Sequence, residues 1–352
     1  MRVADLFAGV GGLSLGFEQA GYDVAFAVEF DKDIAAAYEK NHVGTAVYNA
    51  DITKLDPHEL LKRHGKIDVV VGGPPCQGFS QKGKRLSVKD DRNFLFRQYV
   101  RFVDVLRPKF FVIENVPNII TTANGYFKNE IIKEFTDLGY DVKADVFDVS
   151  DYGVPQQRRR AVFIGEQKQN NVQFPKPNGK RVTVNDAISD MIPLESGCGS
   201  EVSEYASSAQ NAYQRLMRKG VRGGVYNHQA TAHSKIALTR MKMIPKGMGK
   251  EVLPPEHRAK SIYSGTWCRL IEDDIAATIT TRFDTPSSGR FTHPTQNRCI
   301  TVREAARLQS FPDTFIFYGT KTSQMKQVGN AVPPLFANAI AKEILKAEES
   351  ER

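Results

Sequence analysis

Over its first 165 residues the chain alternates short apolar runs with amphipathic stretches, and this rhythm constrains the fold more than any single motif. Runs of that length suit buried strands, and helical patterns between them make βα units that place parallel strands in one sheet. The pattern predicts strands near 2–7, 24–29, 45–49, 67–72, 109–114, 141–148 and 160–165. Helices are expected near 12–20, 32–41, 56–64, 93–106 and 126–138. Asp90 and Asp91 are suitable caps for the fourth of these, and Pro108, which cannot continue a helix, stops it.

From about 166 to 297 the rhythm is lost. NNVQFPKPNGK reads as a linker, and mixed short pieces rich in Gly, Ser, Thr and basic residues follow. Regularity returns at Thr301, where TVREAARLQS reads as a short helix ended by Pro312. PPLFANAIAKEILKAEES then reads as a helix with proline in its first turn. Its apolar face, Leu335, Phe336, Ile340, Ile344 and Leu345, is expected to pack back on the first domain. The expected organisation is therefore one domain of 1–165 plus 298–352 and a second, smaller one of 166–297.

Composition excludes several classes. No apolar run approaches the roughly 18 residues of a membrane span, and MRVADLFAG enters a strand pattern without the parts of a signal peptide. A cytoplasmic protein without membrane association is the expectation. Cys76, Cys198, Cys268 and Cys299 are scattered, with no CxxC pair and no histidine spacing for zinc, so neither a metal nor a disulfide framework is expected. The net charge of +8 favours a polyanionic partner, because a basic surface releases counterions on binding one.

Two constellations fall at predicted strand ends. DLFAGVGG at 5–12 leaves the first strand and opens a helix; Gly9, Gly11 and Gly12 permit tight turning and close approach of a ligand. Glu29 ends the second strand, where a carboxylate can accept from a ribose diol. The third glycine of the dinucleotide pattern is missing, which leaves S-adenosylmethionine as the stronger candidate. Asp51 could accept from an adenine amino group while Ile52 covers the ring, although an Asp in that place can equally cap a turn.

The second constellation starts from Cys76 in GGPPCQGFS, whose Pro74 and Pro75 restrict the backbone ahead of the thiol. Glu114 ends the run FFVIENV, and near a heterocycle a partly desolvated glutamate can deliver a proton. In PQQRRR, strand alternation would put Arg158 and Arg160 on one face, where two guanidiniums could hold a base or phosphate and help ionise the thiol.

DLFAGVGG, GGPPCQGFS, ENV, QQRRR, TVREAARLQSFPD and QVGNAVPP, in this order over residues 5–334, resemble the motifs of the bacterial DNA (cytosine-5)-methyltransferases. The resemblance implies an α/β fold, a Rossmann-like S-adenosylmethionine-dependent methyltransferase sheet with a second, smaller target-recognition domain. Cys76 would add to C6 of a flipped cytosine while Glu114 protonates or hydrogen-bonds N3. C5 would then take the methyl group, leaving S-adenosyl-L-homocysteine, with Arg158 and Arg160 positioning the cytosine and no metal taking part. Cofactor contacts would come from Phe7, Gly9, Val10, Gly11, Gly12, Glu29, Phe30, Asp51, Ile52, Pro75 and Leu95, and from Asn330, Ala331 and Val332 near the far end of the chain.

The partner implied is double-stranded DNA, bound by a monomer on the bacterial nucleoid, with a cognate restriction endonuclease acting separately. Extruding a base costs a few kcal/mol, and the basic loop 81–92 that follows the thiol is suited to close over it. Gln77, Ser80, Lys82, Lys84 and Arg85 are candidate DNA contacts there, and Arg282, Ser287, Ser288 and Arg290 are candidates in TTRFDTPSSGR. The nearest alternative is a tRNA cytosine-5 methyltransferase. It is disfavoured by the separate middle domain and by Ser80, where those relatives typically carry Thr. A catalytically silent DNA-binding module and a nicotinamide oxidoreductase account for less of the pattern.

Overall fold

The computed structural model describes residues 1–75, 94–167, 171–259 and 265–350. Seven strands, β1 (Arg2–Leu6), β2 (Asp23–Glu29), β3 (Ala46–Asn49), β4 (Val69–Gly72), β5 (Phe110–Asn115), β6 (Tyr140–Asp148) and β7 (Arg159–Gln167), form one mixed sheet in the order β3-β2-β1-β4-β5-β7-β6. Each lies within two residues of an expected strand. β1 through β5 pair in parallel, and β7 runs antiparallel to both β5 and β6. The chain winds outward from β1 in one direction and from β4 in the other, and such a switch point opens a crevice at the carboxyl ends of the strands.

The chain divides into two compact units. The first holds residues 1–152, 159–178 and 332–352, and the second 153–158 and 179–331. In the first, Phe111 and Phe135 lie with centroids 4.1 Å apart and planes tilted by 31°, and Tyr99 meets both rings edge-on. Burying each such ring contributes about 1.5–3 kcal/mol. The Tyr99 hydroxyl lies 2.9 Å from the Val70 carbonyl and 3.0 Å from that of Val112, so the helix Phe94–Leu106 is tied to both β4 and β5. Gly165 faces Phe111 across the β5–β7 pair, and the Phe111 ring fills the space a side chain would need.

The C-terminal helix Pro334–Ser350 packs on the helix Gly12–Gln19 as expected. Ala337 lies 2.4 Å from where a Cβ on Gly16 would stand, so only glycine permits that approach. Tyr22 donates to the Ala341 carbonyl at 2.9 Å and closes the same seam.

The second unit has short helices and a two-residue pairing of Val202–Ser203 with Val225–Tyr226. Its interior is ionic to an unusual degree. Thr301 and Glu304 form a capping box that starts the helix Val302–Leu308, and Glu304 also takes two 2.7 Å hydrogen bonds from Arg298. Arg307 is held between Asp190 and Asp313, all three fully buried. Complete pairing offsets the desolvation of such charges, and losing one partner strands the others. The helix Lys321–Asn330, capped by Thr320, was not expected from the sequence.

No helix among the described residues is long and apolar enough to cross a membrane, and no described cluster of His, Cys, Asp or Glu is arranged to hold a metal.

Candidate active site

The loop after β1 is built around positive backbone angles. Phe7 has φ 60°, Gly9 φ 57° and Gly11 φ 91°. A non-glycine residue such as Phe7 enters that region only when its surroundings enforce it, and such strain concentrates at functional sites. The enforcement is visible: Ala8 donates to the Val28 carbonyl at 3.0 Å, and Gly11 to Ala8 at 2.9 Å. Glu29 accepts from the Gly9 amide on one oxygen and the Asp31 amide on the other, both at 2.8 Å. Burial raises the Glu29 pKa, and these two amides oppose the rise. Glu29, expected from sequence as a ribose acceptor, is thus seen to fasten the loop.

These residues fit an adenosine-bearing, carboxylate-bearing cofactor. The helix Gly12–Gln19 begins with no side-chain cap, leaving its first amides for an anion. Phe30 beside Glu29 is 75% exposed, an apolar ring with nothing over it among the described residues. Open space surrounds the place where a Cβ on Gly9 would stand. Val10 of this loop is buried, Ile52 is buried in the core, and Leu95 packs against that core. Asp51 accepts from the Thr53 amide at 3.0 Å and caps the short helix Ile52–Lys54, a bond that lowers its pKa. The turn-capping role that sequence left open for Asp51 is thus realised.

Below the loop lies a polar group that sequence reasoning missed. Ser14 donates to Asp5 at 2.6 Å, and Tyr38 donates to Ser14 at 2.7 Å. Asp5 is fully buried, and burial pushes its pKa up to about 7, with the Ser14 hydrogen bond opposing. Its spacing from Ser14 puts the two on facing surfaces of strand and helix, a signal that was present in DLFAGVGGLS but is not specific by itself.

At the carboxyl ends of β4 and β5 the second group assembles. Glu114 is 8% exposed, and its Oε2 lies 3.5 Å from the position a side chain on Gly73 would take, so the carboxylate faces the start of the GGPPCQGFS loop. Arg160 Nε stands 2.7 Å from Glu114 Oε1. The reversed direction of β7 explains this contact: Glu114 sits opposite Val162, and Arg160, two residues earlier on the same face, is its diagonal neighbour. Asn115, which sequence analysis left without a role, donates from Nδ2 to the Pro74 carbonyl at 2.8 Å. Gly72 must be glycine, because a Cβ there would stand 2.2 Å from the Leu6 carbonyl oxygen.

The strand alternation expected to give Arg158 and Arg160 one face covers only Arg160. β7 begins at Arg159, and Arg158 belongs to the second unit, where it donates to Ile279 at 3.0 Å and to Gly329 at 2.9 Å. Those carbonyls, more than a hundred residues away, capture the guanidinium before strand alternation begins. Asn330 and Ala331 also lie in the second unit, while Val332 opens the last segment of the first. Pro75 is exposed at the edge of the described chain. Cys76, Gln77, Ser80, Lys82, Lys84 and Arg85 lie outside the described residues. Arg282, Ser287 and Ser288 are exposed, and Arg290 donates to the Arg269 carbonyl at 3.3 Å.

Comparison with known proteins agrees with this geometry. The family described as C-5 cytosine-specific DNA methylase matches residues 1–346. The chain is 40% identical to the type II methyltransferase M.DdeI of Desulfomicrobium norvegicum, over 98% of this chain and 88% of that one. It is 39% identical to the type II methyltransferase M1.HphI of Haemophilus parahaemolyticus, over 99% and 87%. A crystal structure described as a DNA modification methyltransferase of an E. coli prophage superposes with a TM-score of 0.81 at 30% identity, covering 99% of both chains. The S. pombe Dnmt2 methyltransferase, at 14% identity and a TM-score of 0.61 over 100% of this chain and 99% of that one, shares the fold alone.

Proposed function

The chain belongs to the C-5 cytosine-specific DNA methylase family and is a DNA (cytosine-5)-methyltransferase that uses S-adenosylmethionine, and from that premise we propose which of its residues carry the reaction. Cys76 is the nucleophile. Its sulfur adds to C6 of an extruded cytosine, Glu114 hydrogen-bonds or protonates N3 so that charge does not build up in the ring, and C5 becomes nucleophilic. When bound, the cofactor supplies an electrophilic methyl group on a sulfonium sulfur. Removal of the C5 proton then expels Cys76 and restores the aromatic ring.

The observation that carries this reading is the Glu114–Arg160 pair beside Gly73. Arg160 orients the glutamate and adds positive charge where the pyrimidine would lie, and Asn115 fixes the Pro74 carbonyl that precedes the thiol. Phe7, Gly9, Glu29, Phe30 and the open end of the helix Gly12–Gln19 hold the cofactor. Arg158 acts as a positioning residue through its bonds to Ile279 and Gly329.

The substrate is double-stranded DNA bound by a monomer, with sequence read by the second unit. The similarity to type II methyltransferases supports a place beside a restriction endonuclease of the same specificity, acting separately, in a bacterial cytoplasm. Bisulfite sequencing of DNA from cells expressing the protein tests the reading. 5-Methylcytosine in one short sequence context is expected. Methylation of tRNA alone, or none in DNA, would overturn it.

A further inference from the structure

His42 lies directly after the helix Lys32–Asn41, and none of the roles above uses it. Its ring is fully buried and stacks on Tyr38 with centroids 4.0 Å apart. Nδ1 stands 2.9 Å from a Glu18 carboxylate oxygen, and Nε2 stands 3.1 Å from the Val10 carbonyl. The two ring nitrogens are thus held between the Glu18 carboxylate on one side and the Val10 carbonyl on the other.

Gly11 has no side chain where this ring needs room, since a Cβ on it would stand 2.1 Å from Nε2. The histidine and the glycine loop therefore occupy space that a side chain on residue 11 would deny them. We infer that His42 is a positioning residue for the cofactor: by holding the Val10 carbonyl it fixes the loop 7–12 in the shape that receives S-adenosylmethionine, with Glu18 anchoring the ring from the other side. The inference rests on the proposed assignment of that loop to the cofactor.

The test measures S-adenosylmethionine affinity by calorimetry on the full chain, with hydrogen exchange of loop amides in the cofactor-free protein as a second readout. His42→Phe keeps a ring for the Tyr38 stack and removes both ring nitrogens and their polar contacts. Affinity is expected to fall about tenfold, the worth of one charge-assisted hydrogen bond, with faster loop exchange and kcat at saturating cofactor changed less than about twofold. His42→Gln, whose amide nitrogen can reach the same carbonyl, restores most of the affinity. Wild-type affinity in His42→Phe, or His42→Gln as weak as His42→Phe, overturns the inference. Should His42→Phe not fold, Glu18→Gln decides: affinity about threefold weaker supports the inference, and unchanged affinity and exchange overturn it. Glu29→Ala separates the two levels. Binding lost there but intact in His42→Phe sinks the inference alone, whereas binding intact in Glu29→Ala sinks the cofactor assignment beneath it.

Discussion

Arg160 Nε lies 2.7 Å from Glu114 Oε1, and the two groups meet only because β7 runs against β5. A parallel strand in that position would send the residues before it to the opposite edge of the sheet. Arg160→Ala is expected to lower single-turnover methylation about 10²–10³-fold, the scale of removing one preorganised charge from a transition state. DNA affinity should change less than about threefold, since Arg160 is turned to Glu114 and the phosphate contacts that dominate affinity are left in place. Filter binding beside single-turnover kinetics checks the split.

Asn115→Ala removes the tie to the Pro74 carbonyl and leaves the carboxylate in place. Stability should fall by about 1 kcal/mol and turnover by about tenfold, because the segment leading to Cys76 is less well held. Unchanged turnover at unchanged stability would show that the tie does not position the thiol.

Gly9 and Gly11 offer a paired contrast. Both have positive φ, but open space surrounds the Cβ position at Gly9, while His42 Nε2 and Tyr38 Cε2 crowd it at Gly11 to 2.1 and 2.7 Å. Gly9→Ala should cost about 1–2 kcal/mol from backbone conformation alone. Gly11→Ala must also displace both rings and should weaken cofactor binding by more than about tenfold. Thermal melts with and without cofactor distinguish the two.

Asp5 predicts a pH dependence whose sign can be worked out. Its folded pKa, about 7, lies above its ordinary 3.8, so the folded state binds this proton more tightly. The stability it contributes is fully present below about pH 4 and is lost as pH rises through 7. Asp5→Asn cannot ionise, so the unfolding free energy of the wild type, from urea titration, should fall relative to that of the variant across this window by an amount on the order of a few kcal/mol. A constant difference between the two proteins from pH 4 to 8 would contradict the burial-driven shift.

Much of the catalytic sheet was legible because burial on both faces writes parallel strands as apolar runs, and FFVIEN or DVAFAVE can hardly be anything else. Glu29 and Glu114 stood out as carboxylates closing such runs. The antiparallel seating of β7 between β5 and β6 was not legible, since side-chain alternation reads the same in either direction. The partners of Arg158 escaped for a related reason: Ile279 and Gly329 leave no local trace near QQRRR. Asn115 was visible only as a letter of ENV, because an asparagine that donates to a proline carbonyl looks like any loop asparagine. The helix Lys321–Asn330 was missed because KTSQMKQVGN is mostly polar with little apolar periodicity, and its one strong signal is the Thr320 cap.

The central claim, covalent catalysis by Cys76 on cytosine in DNA, is tested most directly with a duplex carrying 5-fluorocytosine at the target position. Fluorine cannot leave C5 as a proton does, so addition and methyl transfer proceed and elimination stops. A one-to-one protein–DNA adduct that survives denaturing electrophoresis is expected with S-adenosylmethionine present, and none with Cys76→Ser. No adduct with the wild type, or an adduct that persists in Cys76→Ser, would contradict the account.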